Sequence, residues 1–248
     1  MRYFIELAYN GKAYHGWQNQ PDAVSVQETL ETTLFTLLQV PTPVVGAGRT
    51  DAGVHASQYF AHFDADFLPD PQKLIFRLNS LLPSDIAVYN LFEVHPEAHA
   101  RFDAISRSYE YHIIQQKDPF FNETAHLVKN ELDLDKMNLA AFHLKIHTDF
   151  KCFSKSKTDV KTYNCDIKSA IWEQQENKLV FKITADRFLR NMVRAIVGTL
   201  LEIGLGKIPV EQLEEIILSR DRQNAGTSVP AKALFLTGIE YPTSIVEK

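Results

Sequence analysis

Cysteine is almost missing from this 248-residue sequence: Cys152 and Cys165 are the only two, and no C-x-x-C pair occurs. That excludes a disulfide framework and a thiolate zinc site, and leaves two free, partly buried thiols as the expectation. No apolar run approaches the roughly 18 to 20 residues of a membrane span. The N-terminal MRYFIELAYNG reads as a strand, without the basic-then-apolar order of a signal peptide, so a cytoplasmic protein with no membrane partner is expected. Nine histidines are present, but HPEAH (95–99) and HLKIH (143–147) both lack the glutamate of H-E-x-x-H, and no metal is expected. G-x-S-x-G and the RRM signature are likewise absent.

An excess of positive charge is also missing, since the net charge is −5. The deficit is uneven. Residues 1–104 hold 6 Lys+Arg against 12 Asp+Glu, whereas residues 145–194 hold 11 basic side chains against 6 acidic ones. Lys151, Lys155, Lys157 and Lys161 cluster in KCFSKSKTDVK, a local footprint for a polyanion on an acidic chain, or otherwise a solvated loop.

What is present first is order. RYFIELAY (2–9) alternates as a strand and Asn10-Gly11 closes it. Ser25 through Glu28 forms a capping box, and Val26, Leu30, Leu34, Leu37 and Leu38 follow at helical spacing. Val44-Val45, a strand at 58–63, a helix from Pro71 through Leu78 and a strand at 86–94 complete β-α-β-β-α-β. The second half repeats that order, with strands at 107–114, 166–172, 178–185 and 233–241 and helices at 134–144, 187–203 and 210–219. The expected class is α+β, with two ferredoxin-like halves, residues 1–104 and 105–248, packed around an inter-domain cleft.

Within this frame GAGRTDAGVHA (46–56) stands out, with three glycines around an arginine, an aspartate and a histidine. It is not a dinucleotide loop: the third glycine of G-x-G-x-x-G would fall at Asp51, where a carboxylate would repel pyrophosphate. The glycines then serve to bend backbone around Asp51. Beside an arginine, that carboxylate stays ionised and acts as base or nucleophile, not as acid. His55 has no serine or cysteine partner and is read as structural. Trp17 in GWQNQ is either a contact residue or a lid over the core.

A helix over 187–203 puts Arg187, Arg190, Asn191, Arg194 and Gly198 on one stripe opposite a broad apolar face. Glycine there costs about 1 kcal/mol relative to alanine, which suggests that something large packs against it. In the strand at 107–114, Tyr109, Tyr111 and Ile113 share one face, a platform on which a base could stack.

With those residues in place, the chain resembles bacterial tRNA pseudouridine synthases of the TruA family nearly end to end. The similarity runs through GWQNQ, Ser25-Val26-Gln27, AGRTDAGVHA, Leu78-Asn79, Leu82-Pro83, Asp85-Ile86, His99-Ala100-Arg101-Phe102, Arg107 to Tyr111, Phe188-Leu189, Met192-Val193-Arg194, Asp221-Arg222 and Ala225-Gly226. It departs at Ala233, where the family often has glycine. The resemblance implies the pseudouridine synthase fold, a homodimer, no cofactor, and isomerisation of uridine at positions 38, 39 and 40 of the tRNA anticodon stem-loop. It implies Asp51 as catalytic residue, Tyr109 against the target base, Arg194 paired with Asp51, and Arg49 helping to hold the flipped nucleotide. Lys151, Lys155, Lys157, Lys161, Arg187, Arg190 and Arg101 are the expected RNA contacts. Two rivals stand beside it: a non-catalytic RNA-binding module would have no need of Asp51, and a small-molecule enzyme would have none of the lysines.

Overall fold

The computed structural model describes residues 1–66, 68, 70–155 and 160–246. The chain divides into two units, Met1–Ser106 with Leu236–Lys248, and Arg107–Phe235. Residues 236 onward thus group with the first unit, although they follow the second in sequence.

In the first unit β1 (Arg2–Tyr9) lies between β4 (Ile86–Val94) and β3 (His55–Asp64), antiparallel to both, and β2 (Val45–Gly46) pairs with β3. The order β4-β1-β3-β2 is that of a split β-α-β unit. Because β1 is central, Phe4, Ile5, Leu7 and Tyr9 are all buried, on both faces. β2 is only two residues long and covers the far end of β3. The rest of that edge is taken by β9 (Leu234–Glu240), whose Ile239 N–H donates to the Gln58 side chain at 3.1 Å.

Helix α1 (Val26–Leu38) starts where the sequence places it: the Ser25 hydroxyl accepts the Glu28 N–H at 3.1 Å, and Val26, Leu30 and Leu34 are buried. Helix α2 (Pro71–Leu81) is capped by Asp70, with Pro71 in the first turn. Beyond β4, a turn at 98–103 is pinned by buried His62, whose Nδ1 accepts the Ala100 N–H at 3.1 Å. Burial brings the His62 pKa down to about 4, so the ring stays a neutral acceptor.

In the second unit β5 (Ser106–Ile114) pairs with β8 (Lys178–Ala185), which pairs with β7 (Ile167–Gln175), and the two-residue β6 (His126–Leu127) runs parallel to β5. Helices α3 (Leu134–Leu144) and α4 (Met192–Gly204) pack together, and α3 lies on β7. A short α5 (Gln212–Ser219) follows. Cys152 and Cys165 are free and buried, and burial pushes both thiols up to about 12.

One helix differs from the sequence expectation. It begins at Met192, not at 187, because Asn191 adopts a left-handed backbone, φ 68°, that a right-handed helix cannot contain. The segment before it is bonded elsewhere: Arg187 N–H donates to the Asp186 carboxylate at 2.7 Å, and the Arg190 carbonyl accepts the Lys155 N–H at 3.0 Å. Arg187 and Arg190 therefore do not share a helical stripe with Arg194. Gly198 is buried, also contrary to a polar stripe. A Cβ there would lie 1.9 Å from the Thr227 carbonyl oxygen, so what packs against it is backbone.

Candidate active site

The loop that carries Asp51 leaves β2 and enters β3, and aromatic rings fill the space beneath it. Trp17 is 2% exposed and stacks on Tyr59 at 4.1 Å between ring centroids, so it is a buried support. The Tyr59 hydroxyl donates to the Gly48 carbonyl and lies 3.3 Å from the Gly48 N–H. Gly46 must be glycine for this: a Cβ would meet Tyr59 Oη at 2.2 Å and Trp17 Nε1 at 2.3 Å. On the far side of Asp51 the chain turns back, with its carbonyl accepting the Val54 N–H at 3.1 Å. Gly53 supplies the positive φ of 78° that this turn uses. Asp51 is half-buried and Arg49 exposed.

His55 begins β3 and is 2% exposed; its Nδ1 accepts the Gly11 N–H at 3.1 Å. A ring whose Nδ1 is held by backbone serves the fold, as its lack of a nucleophilic partner in the sequence implies.

In the second unit the tyrosine face of β5 splits into two roles. Tyr111 is fully buried, its hydroxyl donates to the Pro230 carbonyl at 3.0 Å, and burial pushes its phenol well above the usual range. Tyr109 is half-buried and meets Phe188 edge-to-face at 5.2 Å. Arg194, in the first turn of α4, is half-buried, and its Nε donates to the Val229 carbonyl at 2.7 Å. The Val229 N–H returns to the Arg194 carbonyl at 3.2 Å. The guanidinium charge also reaches the Tyr111 phenol, where it opposes the effect of burial.

Residues 225–230 complete this region, and spacing along the chain gives no means of finding them. Arg222 Nη2 and Asn191 Nδ2 both donate to the Ser228 hydroxyl, at 2.8 and 2.6 Å. Gly226 N–H donates to Thr199 Oγ1 at 2.9 Å, inside α4. The traces of this segment in the sequence are Gly198, an unfavourable residue in a helix, and the Ala225-Gly226 pair of the family resemblance.

Of the expected RNA contacts, Arg101 is exposed on the turn held by His62, with its guanidinium over the Phe102 ring at 5.6 Å. Arg190, Lys151, Lys155 and Lys161 are exposed and Arg187 half-buried. Lys151 Nζ lies over the Tyr163 ring at 5.6 Å. Lys157 falls outside the described residues. Asp51, Arg49 and Arg101 thus belong to the first unit, and Tyr109, Arg194 and the other basic residues to the second. Among the described residues no group of three His, Cys, Asp or Glu could hold a metal ion, and no helix is long and apolar enough to cross a membrane.

Residues 140–242 match a family model described as tRNA pseudouridine synthase. The chain is 54% identical over 248 residues to a tRNA pseudouridine synthase A of Bacteroides fragilis, covering 99% of this chain and 98% of that protein. It is 52% identical over 245 residues to the protein of that name from Parabacteroides distasonis, covering 98% and 97%. To that of Porphyromonas gingivalis it is 52% identical over 248 residues, covering 98% of each. With this likeness running through the Asp51 loop, β5 and α4 alike, the chain belongs to the tRNA pseudouridine synthase A family.

Proposed function

We propose that this chain isomerises uridine to pseudouridine at positions 38, 39 and 40 in the anticodon stem-loop of tRNA, with Asp51 as nucleophile or base. The observation that carries the reading is family membership over nearly the whole chain. A half-buried aspartate on a braced loop agrees with it. The reaction breaks the N1–C1′ bond, turns the uracil and joins C5 to C1′, while a proton leaves C5 and one is gained at N1. Atoms balance without water, redox partner or phosphoryl donor, so the reading includes no cofactor. Three routes are open to the carboxylate: attack at C6, attack at C1′, or removal of the 2′ proton.

A base inside a stem is unreachable until it leaves the stack. In this reading Arg49 holds the target nucleotide out, Tyr109 packs on its base, and Arg194 pairs with Asp51 and keeps it ionised. Residues 1–104 supply the aspartate loop and residues 105–248 the tyrosine strand and the arginine helix. Lys151, Lys155, Lys157, Lys161, Arg187, Arg190 and Arg101 contact phosphates, giving affinity while RNA shape gives site choice. The working form is a cytoplasmic homodimer. The test is incubation with unmodified tRNA and chemical labelling of pseudouridine, a product of unchanged mass. Binding without any labelled product would leave only an RNA-binding module.

A further inference from the structure

Asp51 is preceded by Thr50, whose side chain is engaged from two sides. Its Oγ1 accepts the Trp17 N–H at 3.1 Å and lies 2.9 Å from the Tyr9 hydroxyl. Tyr9 and Trp17 are both buried, so neither partner can follow a displaced loop without disturbing core packing. The Thr50 carbonyl packs against Gly16: a Cβ there would stand 2.2 Å from it, and Gly16 has φ 91°. Two residues beyond Asp51, the Gly53 N–H donates to the Tyr14 carbonyl at 3.3 Å, and the Tyr14 hydroxyl donates to Asp85 at 2.7 Å. Both flanks of Asp51 are therefore suspended from residues 9–17.

We infer that Thr50 is a positioning residue for the reaction: its hydroxyl, clamped between Tyr9 and the Trp17 backbone, sets where the Asp51 carboxylate stands. The inference rests on the catalytic reading of Asp51. Its physical basis is that a misplacement of about 1 Å at a reacting group can cost on the order of 100-fold in rate. A hydroxyl with one donor and two acceptor sites can satisfy both partners at once, whereas valine has the same shape and can satisfy neither. Tyr9 and Trp17 are far from Thr50 in sequence, and Tyr9 in β1 pairs with Ala56 in β3, the strand that the Asp51 loop enters.

The experiment compares Thr50→Val, Thr50→Ser and Tyr9→Phe, measuring kcat, tRNA affinity and melting temperature, with turnover assayed well below melting. Thr50→Val should lower kcat by about tenfold or more while tRNA affinity stays within about twofold, because the clamp acts on the reacting group and not on ground-state binding. Thr50→Ser, which keeps the hydroxyl, should recover most of kcat, and Tyr9→Phe should fall between. A Thr50→Val enzyme with lowered melting temperature but parent-like kcat would overturn the inference, leaving Thr50 a structural residue only. Loss of tRNA affinity in step with kcat would overturn it too. Asp51→Asn serves as the control: if it is inactive while Thr50→Val is fully active, only this inference falls. If Asp51→Asn turns over, the catalytic reading beneath it falls as well.

Discussion

The Asp51 loop and the side chains of Lys151, Lys155 and Lys161 stand in different surroundings. Beneath the first lie Trp17 and Tyr59, stacked and buried, and both of its flanks are hydrogen-bonded to other segments. The three lysines are exposed. The difference agrees with the roles proposed for them. A carboxylate in a reaction must hold its place to a fraction of an ångström, while a phosphate contact needs charge within reach and tolerates motion. The 225–230 segment, with Ala225, Gly226 and Val229 buried, is fastened to α4 by Arg194 and Thr199 and to Asn191, the residue before that helix.

The strongest break in that comparison is Asp51→Asn. It should abolish pseudouridine formation and leave the melting temperature and tRNA affinity near the parent values, since the amide keeps the shape of a side chain outside the core. Turnover at even about a tenth of the parent rate, roughly 1.4 kcal/mol in barrier, would show that the loop is braced for some other purpose.

Arg194→Met comes next. It should remove most activity and also lower the melting temperature, because the Val229 carbonyl loses a charged donor worth about 1.5 to 3 kcal/mol. Thermal unfolding and single-turnover kinetics check the two halves separately. Full activity with unchanged melting would mean that the Arg194 side chain contributes nothing to the reaction or to the hold on the 225–230 segment.

A smaller effect is expected from glycine. Gly198→Ala drives a Cβ into the Thr227 carbonyl, backbone that cannot swing aside, and should cost about 1 to 3 kcal/mol. Gly48→Ala, in the Asp51 loop itself, meets nothing within 4 Å and should leave stability unchanged. Denaturant midpoints for the pair sharpen the distinction between backbone packed against backbone and backbone left open.

The least severe change is Lys151→Gln with Lys155→Gln. If both side chains touch phosphates, affinity should weaken across a salt series and the log-log slope should flatten by about 0.7 per contact, while turnover at saturating tRNA recovers. A parent-like slope would take this segment off the RNA path and leave only the braced loop as function.

The order of strands and helices is legible in the sequence alone, since alternation and 3.6-residue spacing are local properties. β1, α1, α2, β4 and α3 begin and end within a few residues of their expected places. The family is legible too, because AGRTDAGVHA and its companions are fixed in order along the chain. The start of α4 is not: apolar spacing runs through 187–191, and the helix is stopped by Asn191 turning left-handed while Arg190 bonds to Lys155, a residue 35 positions away. Nor is the fate of Trp17 or Gly198, for each depends on which distant segment arrives against it, Tyr59 in one case and Thr227 in the other. Periodicity belongs to neighbours along the chain and so survives in the sequence. The close approach of two backbones, and the choice between a buried indole and an exposed one, exist only once segments tens of residues apart have been brought together by burial of a common core.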